Sequence, residues 1–447
     1  MKITFLTSAS VLIEDQGVKI LCDPWLVDGE FYGSWYHYPP CNFKPEDFND
    51  VDYIYISHIH PDHFSTKTLS RMNKKIPVLI HDFHYRYLHD NIVRLGFAVI
   101  TLKHNERTLL KNNLFINILA ADNCNPEICM KYFGCGLAEK TLGSTSIDSM
   151  CVIDNGKKVI VNTNDCPFQV GHESASRIKE NYKEIDFLLA GYSSATAYPQ
   201  CFELSESVLE DAKKTIKEKF LRQTESYVNL FKPKYFMPFA GRYVLSGKNH
   251  FLNEKRSIPE LEEAYDYFEK SKNIEHDKSK CIILNQKSNF DLSNNTQSEN
   301  YTHIIKSQKL DYIEKHLSKQ KYDYEQNEFP SINDLLKLLE KSFSRFDSKC
   351  KELGFSSDTT ILISLPGENI LKIPCNGESF ELIPRETLKD ISKYVYISLD
   401  SRLLKLLLSG PKYAHWNNAE IGSHLKFKRN PNVYERALFY CLNYLHA

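Results

Sequence analysis

Three imidazoles and a carboxylate crowd into Ser57-His58-Ile59-His60-Pro61-Asp62-His63. The run before them, Val51-Asp52-Tyr53-Ile54-Tyr55-Ile56, is rich in β-branched and aromatic residues and reads as a strand. At an extended strand end alternate residues share a face, so His58 and His60 can address one metal ion. The turn that follows then aims Asp62 and His63 at a neighbouring point. Neutral imidazole suits zinc, iron, nickel or copper, and an added carboxylate extends the list to manganese. Surface loop histidines are the bland alternative. They do not account for this density at ligand spacing directly behind a strand.

A dinuclear site takes about six protein ligands. Two further carboxylates stand at the polar edges of apolar strands: Asp122 after Phe115 to Ala121, and Asp165 after Val159 to Asn164. Either alone is as readily a turn former; beside the histidine motif both read as ligands. Asp62 and Asp165 are the candidates for direct work in catalysis. Asp23 either orients a ligand imidazole or only shapes the turn before Pro24. Trp25, Trp35, Tyr36 and His37 form an aromatic cluster that can wall a substrate pocket, though packing is the commoner fate of such rings. Ser193, Ser194 and Thr196 offer hydroxyls to a sugar or phosphate.

The elements that must hold these residues alternate short β-branched strands with loops and helices. Strands are expected at 18–21, 53–56, 76–80, 114–119, 158–161 and 280–284. Helices are expected at 86–95 and from Ser207, where Glu210 completes a capping box and Val208, Ala212, Ile216, Phe220, Tyr227 and Leu230 track one face. The chain of 447 residues is long enough for two or three domains. Residues 1–290 read as a catalytic domain, and 291–330, rich in Asn, Ser, Gln, Lys and Tyr, as a linker with one polar helix. Residues 331–447 read as a small α+β domain: a helix after Pro330, two strands joined at Pro366-Gly367, a strand at 395–399 and a helix from Ser401.

Composition narrows the classes. With 56 basic and 57 acidic residues the formal net charge is −1, and nothing advertises a nucleic-acid partner. No apolar run reaches the roughly 18 residues of a membrane span. Met1 to Leu6 opens directly into a strand pattern without signal-peptide architecture, and the twelve cysteines lack paired spacing. A cytoplasmic location with mostly buried thiols is expected.

The motif His58-x-His60-x-Asp62-His63 resembles that of the metallo-β-lactamase fold, an αββα sandwich with metals at one sheet edge. The expected fold class is therefore α/β (α+β), that sandwich followed by the small C-terminal domain. In the resemblance Asp165 matches the bridging Asp, and Asp122 stands where a His is usual. Further segments are similar to the catalytic region of the CMP-N-acetylneuraminate hydroxylase family: Cys22-Asp23-Pro24-Trp25-Leu26, Gly33-Ser34-Trp35, Asn162-Thr163-Asn164-Asp165-Cys166, Pro238-Phe239-Ala240-Gly241, Glu420-Ile421-Gly422 and Arg429 to Tyr434. That family carries an Asp at the position of Asp122. Two departures stand out. No Cys-x-His pair for the family's Rieske cluster is present, so an external electron-transfer protein is expected. Gly247-Lys248-Asn249-His250 replaces the family's His and Asp pattern; His250 falls at the Asp and is either the last ligand or a loop histidine. Arg242 and Lys248 beside it can hold an anion or remain solvated.

The resemblance implies His58, His60, Asp122 and Asp165 around one ion, and Asp62, His63, Asp165 and His250 around the other. A carboxylate in place of an imidazole shifts preference toward iron, with zinc or manganese as alternatives. The leading expectation is a non-haem diiron oxygenase that hydroxylates a polar, nucleotide-sugar-like small molecule. The alternative is a zinc- or manganese-dependent hydrolase of an ester, lactone, amide or phosphodiester. A non-catalytic binding module is the third, and the intact ligand positions argue against it.

Overall fold

The computed structural model of the chain describes residues 1–121 and 148–447. Asp122, an expected ligand, lies outside the described residues.

Two mixed sheets lie face to face. The first runs in the order Thr296–Gln297, Asn289–Asp291, Lys2–Thr7, Ser10–Asp15, Val18–Cys22, Tyr53–Tyr55, Val78–His81, Val99–Leu102. The second runs Lys280–Cys281, Tyr235–Phe239, Phe187–Gly191, Val159–Asn162, Ser149–Asp154, Leu114–Ala120, Thr108–Lys111. Side chains alternate across each strand, and that alternation builds three layers of core. Cys151, Ile153, Ile160, Phe187 and Leu189 face inward against Ile20, Cys22 and Tyr55 of the other sheet. Met150, Val152, Val161, Leu188 and Ala190 face outward onto the helices Phe168–Asn181, Glu206–Phe231 and Leu261–Lys270. On the far side, Leu21, Ile54 and Val78 meet Leu69, Leu88 and Ile92 of the helices Thr66–Leu69 and Tyr87–Arg94. The result is the αββα sandwich that the histidine motif implies.

Strand direction explains where the site can form. Val18–Cys22, Tyr53–Tyr55, Val78–His81 and Val99–Leu102 are mutually parallel in sequence, as are Val159–Asn162, Phe187–Gly191 and Tyr235–Phe239. Parallel strands discharge their loops at one edge, where ligands converge. Cys22 pairs with Tyr55, so Asp23 and Ser57 leave the first sheet side by side.

The long helix departs from expectation at its start. It spans Glu206–Phe231 with Ser205 at the N-cap, and no side chain caps it; the Ser207 hydroxyl meets that of Ser205 instead. Val208 is exposed, and the buried face is carried by Ala212, Leu221, Thr224, Tyr227, Val228 and Phe231. The helix packs through its C-terminal half, so a face drawn from Val208 starts too early.

Residues 291–330, expected to link, include the helix Lys306–Tyr312 and bury Tyr322 and Tyr324. Beyond them a five-stranded sheet, ordered Glu381–Pro384, Asn369–Cys375, Ser357–Ser364, Tyr394–Ser398, Lys426–Asn430, packs on the helices Ile332–Leu353, Ser401–Ser409 and Arg436–Leu442. Ser331 and Asp334 form a reciprocal capping box on the first helix, and Gly354 ends it in the left-handed region at φ 61°. This core continues without a break into Trp25, Phe31, Trp35 and Tyr243 of the sandwich. All nine cysteines among the described residues are free thiols, eight of them buried. Among the described residues no helix is long and apolar enough to cross a membrane.

Glu30, beside that junction, is buried and accepts a hydrogen bond from Ser65 Oγ at 2.6 Å. Burial raises its carboxyl to about 8, against the partial opposition of Ser65 and Lys67. A raised folded-state value means that the folded chain binds more protons than the unfolded one between about 4.5 and about 8. This group therefore erodes stability as pH rises through that window, by at most about 1.4 kcal/mol per pH unit. Glu30→Gln removes the titration and should flatten the fall in Tm between pH 6 and 8. Equal slopes for the two proteins would contradict a protonated Glu30.

Candidate metal centre

The loop after Tyr53–Tyr55 brings its histidines together as the spacing requires. His58 Nε2 lies 2.9 Å from His60 Nδ1, and both rings meet Asp148 in one group of close ligand atoms. A second group joins His58, His63 and Asp165. His63 Nε2 is 3.3 Å from Asp165 and 3.6 Å from Asp62. His58, Asp62 and His63 are buried, and His60 is half-buried.

Hydrogen bonds away from the centre assign the tautomers. Asp23 Oδ1 accepts from Ser57 N at 2.7 Å, and Oδ2 accepts from Ser57 Oγ at 2.6 Å and from His63 Nδ1 at 2.7 Å. With its proton committed to Asp23, Ser57 Oγ accepts from His58 Nδ1 at 3.0 Å. His60 Nε2 donates to Asn417 Oδ1 at 3.1 Å. In the metal-ligating state each imidazole would spend its N–H outward and turn a lone pair inward: His58 Nε2, His60 Nδ1 and His63 Nε2; the 2.9 Å approach of the first two then calls for a cation beside them. Among the described residues the buried His63 Nε2 makes no hydrogen bond and faces Asp165 at 3.3 Å. That is the state of a nitrogen prepared for a metal ion, and the donor set fits one.

The local backbone carries strain at the same place. Asp23 and Asn164, flanking the centre from the two sheets, sit at φ 43° and 47°. Asn164 is held by its side-chain amide, which donates to Ser149 O at 2.9 Å. Its carbonyl lies where a Cβ on Gly191 would approach to 2.8 Å, so only glycine lets the two loops close on each other.

Electrostatics are those of a cation site. Burial, then His63 and His60, hold His58 far below the usual imidazole range, which keeps it neutral and ligating. Burial also opposes a charge on His63, yet Asp165, Asp62 and Asp23 outweigh it and drive its value well up. Burial lifts Asp62 to about 7, with His63 opposing and Asp165 reinforcing. Burial disfavours the charged form of Asp165, but His63 prevails and lowers it. Several buried carboxylates here demand positive charge, and a divalent ion supplies it better than one imidazolium.

Not every expected residue reaches the centre. His250 does not: Nδ1 engages Gly247 O at 3.0 Å and Nε2 engages Glu314 at 3.1 Å on a half-exposed surface. Lys248 turns to Asp400 and Glu325. Trp35 is 1% exposed, stacks on Tyr243 and donates to Ile421 O. His37 is buried, bound through Nδ1 to Asp28 at 2.7 Å, and lines a shallow cleft with Arg242, Thr7 and Gln286. Ser193 donates to Ala240 O at 3.4 Å, while buried Ser194 has a hydroxyl with no hydrogen-bond partner among the described residues.

Two positions beside the candidate centre were not anticipated. Asp148 stands directly before the buried strand Ser149–Asp154, 3.7 Å from His58. The same cue that marked Asp165, a carboxylate at the edge of an apolar strand, would have marked it too. Asn417 has no such cue, since it comes from a short helix 357 residues away in sequence.

Residues 2–129 match the beta-lactamase superfamily domain. Over 249 residues the chain is 26% identical to a Mycolicibacterium smegmatis protein whose name assigns it provisionally as a Rieske 2Fe-2S iron-sulfur protein; the match covers 54% of this chain and 43% of that protein. Over 255 residues it is 25% identical to the cytidine monophosphate-N-acetylneuraminic acid hydroxylase of Xenopus laevis, covering 55% of this chain and 38% of the hydroxylase. The chain spans less than half the length of these relatives. Among solved structures, the isothiocyanate hydrolase from Delia radicum gut bacteria aligns with a TM-score of 0.45 at 14% identity, covering 65% of this chain and 99% of that one.

Proposed function

We propose that this metallo-β-lactamase-fold chain is a dinuclear metalloenzyme of the oxygenase kind, acting on a polar, nucleotide-sugar-like small molecule with electrons from a separate protein. The observation that carries this reading is the donor set. Three imidazole nitrogens meet Asp62, Asp148 and Asp165, a carboxylate share that suits iron better than an imidazole-rich zinc site. Similarity to the sialic-acid hydroxylase supports the same direction.

His58, His60 and Asp148 would hold one ion, and His63, Asp165 and Asp62 the other, with His58 close to both groups. Asp122 would join them on the sequence argument. Ions bound there supply Lewis-acid activation of water or, as iron with a reductant, activation of dioxygen. The protein's own part is positional. Asp23 and Ser57 fix two ring tautomers, and burial of the loop limits water around the reacting atoms. Arg242 lines the same cleft as His37, and its guanidinium suits a phosphate or carboxylate of the substrate.

Metal analysis of anaerobically purified protein tests the reading. About two irons per chain, a spectroscopic signature of coupled iron and reductant-dependent dioxygen consumption are expected. Stoichiometric zinc with ester, lactone or phosphodiester cleavage, and no gain from iron and reductant, would establish the hydrolase instead.

A further inference from the structure

Among the described residues, Asn417 is the residue of the C-terminal region whose side chain hydrogen-bonds the histidine loop, at His60 Nε2. It sits in the helix Trp416–Ile421, which follows His415 and lies against the segment 30–36. Four bonds clamp that helix and its exit to the sandwich. Tyr32 Oη accepts from His415 N at 2.7 Å, Ser34 Oγ donates to Gly422 O at 2.6 Å, Trp35 Nε1 donates to Ile421 O at 3.3 Å, and His424 Nε2 donates to Phe31 O at 2.8 Å. Asn417 is therefore held in place from both sides of the junction.

We infer that Asn417 is a positioning residue for the metal centre, through which the C-terminal α+β region fixes the tautomer of His60; the inference rests on the metal-centre reading above. The chemistry is specific. An imidazole has one N–H when neutral, and the nitrogen that carries it cannot bind a metal ion. Asn417 Oδ1 is an acceptor, so it retains the His60 proton on Nε2. Nδ1, 2.9 Å from His58 Nε2, is then left with its lone pair toward the centre. His58 and His63 take the same service from Ser57 and Asp23 within the sandwich. His60 alone takes it from the distal part of the chain. Its binding-competent state thereby depends on docking of that part.

Nitrogen-15 imidazole spectra of the metal-free protein read the tautomer, and Co(II) titration reads the site. Wild type should show a protonated Nε2 and an unprotonated Nδ1 on His60. Asn417→Leu, alike in branching and without an acceptor, should populate the other tautomer and weaken Co(II) binding about 10–100-fold. Asn417→Asp keeps an acceptor and should retain both properties. A melting curve for each variant separates misfolding from the local effect, and Asn417→Asp provides the rescue. An unchanged His60 tautomer and Co(II) affinity in Asn417→Leu would overturn the inference. A locked tautomer in a wild-type protein that binds no divalent metal would leave Asn417 positioning His60 but overturn the proposed function.

Discussion

Asp23→Asn should leave a folded protein whose affinity for a divalent metal is about 10–100-fold weaker, a larger loss than its near-identical shape suggests. The Asp23 carboxylate accepts from Ser57 N, Ser57 Oγ and His63 Nδ1. An amide has one acceptor oxygen and must present N–H groups to the other partners, which are themselves donors. With the amide oxygen toward Ser57 N, His63 must move its proton to Nε2, the nitrogen that faces Asp62 and Asp165; the opposite orientation keeps the His63 bond but sets an amide N–H against the buried Ser57 N–H. Ser57 must turn its hydroxyl as well, which also releases His58 Nδ1. One atom change therefore disturbs two ligands. Asp23→Ala goes further, because it strands the buried Ser57 N–H and takes away the acceptor of His63 Nδ1. It should cost about 3–5 kcal/mol of stability. Metal titration and urea denaturation of both variants separate these outcomes. Wild-type metal affinity in Asp23→Asn would remove Asp23 from control of the tautomer.

How much of this was legible in advance varies with the range of the interaction. The six positions from His58 to His63 declare themselves because strand alternation and one turn fix them locally, and Asp165 follows from the same logic at the end of another strand. Asp148 obeys that logic too, but nothing in the chain chooses it over other strand-edge carboxylates until the sheets are assembled. His250 shows the converse. Its sequence neighbourhood suggested a ligand, yet the 3-10 turn Gly247–Lys255 bends the ring toward Gly247 O and Glu314. Glu314 is remote in sequence, so no local pattern could reveal that competitor. Asn417 and the aromatic junction lie further still beyond local patterning, since both depend on how the C-terminal sheet docks. Of the expected aromatic cluster, Trp25, Trp35 and His37 meet while Tyr36 packs with Val244, Ile313 and Leu317, and the sequence cannot tell a pocket wall from a packing layer. Burial tells them apart at Trp35.

Trp35→Ala should destabilise the protein by about 3–5 kcal/mol, the cost of emptying a fully packed indole site. Trp35 is 1% exposed and joins the core shared by the sandwich and the C-terminal sheet. Its ring stacks on Tyr243 with centroids 3.3 Å apart and planes 8° from parallel, and meets Phe31 at 4.4 Å. Its indole N–H binds Ile421 O in the helix that carries Asn417. Removing the ring therefore opens a cavity and loosens the clamp on that helix. Trp35→Phe restores most of the volume without the N–H, so it should recover most of the stability. Under native conditions, limited proteolysis of Trp35→Ala should open the chain near residues 410–430 before the sandwich yields. A residue that only walls a substrate pocket would behave otherwise: its loss would raise KM and leave the urea midpoint unchanged. That result for Trp35→Ala would return the ring to the pocket wall and separate the junction from the metal centre.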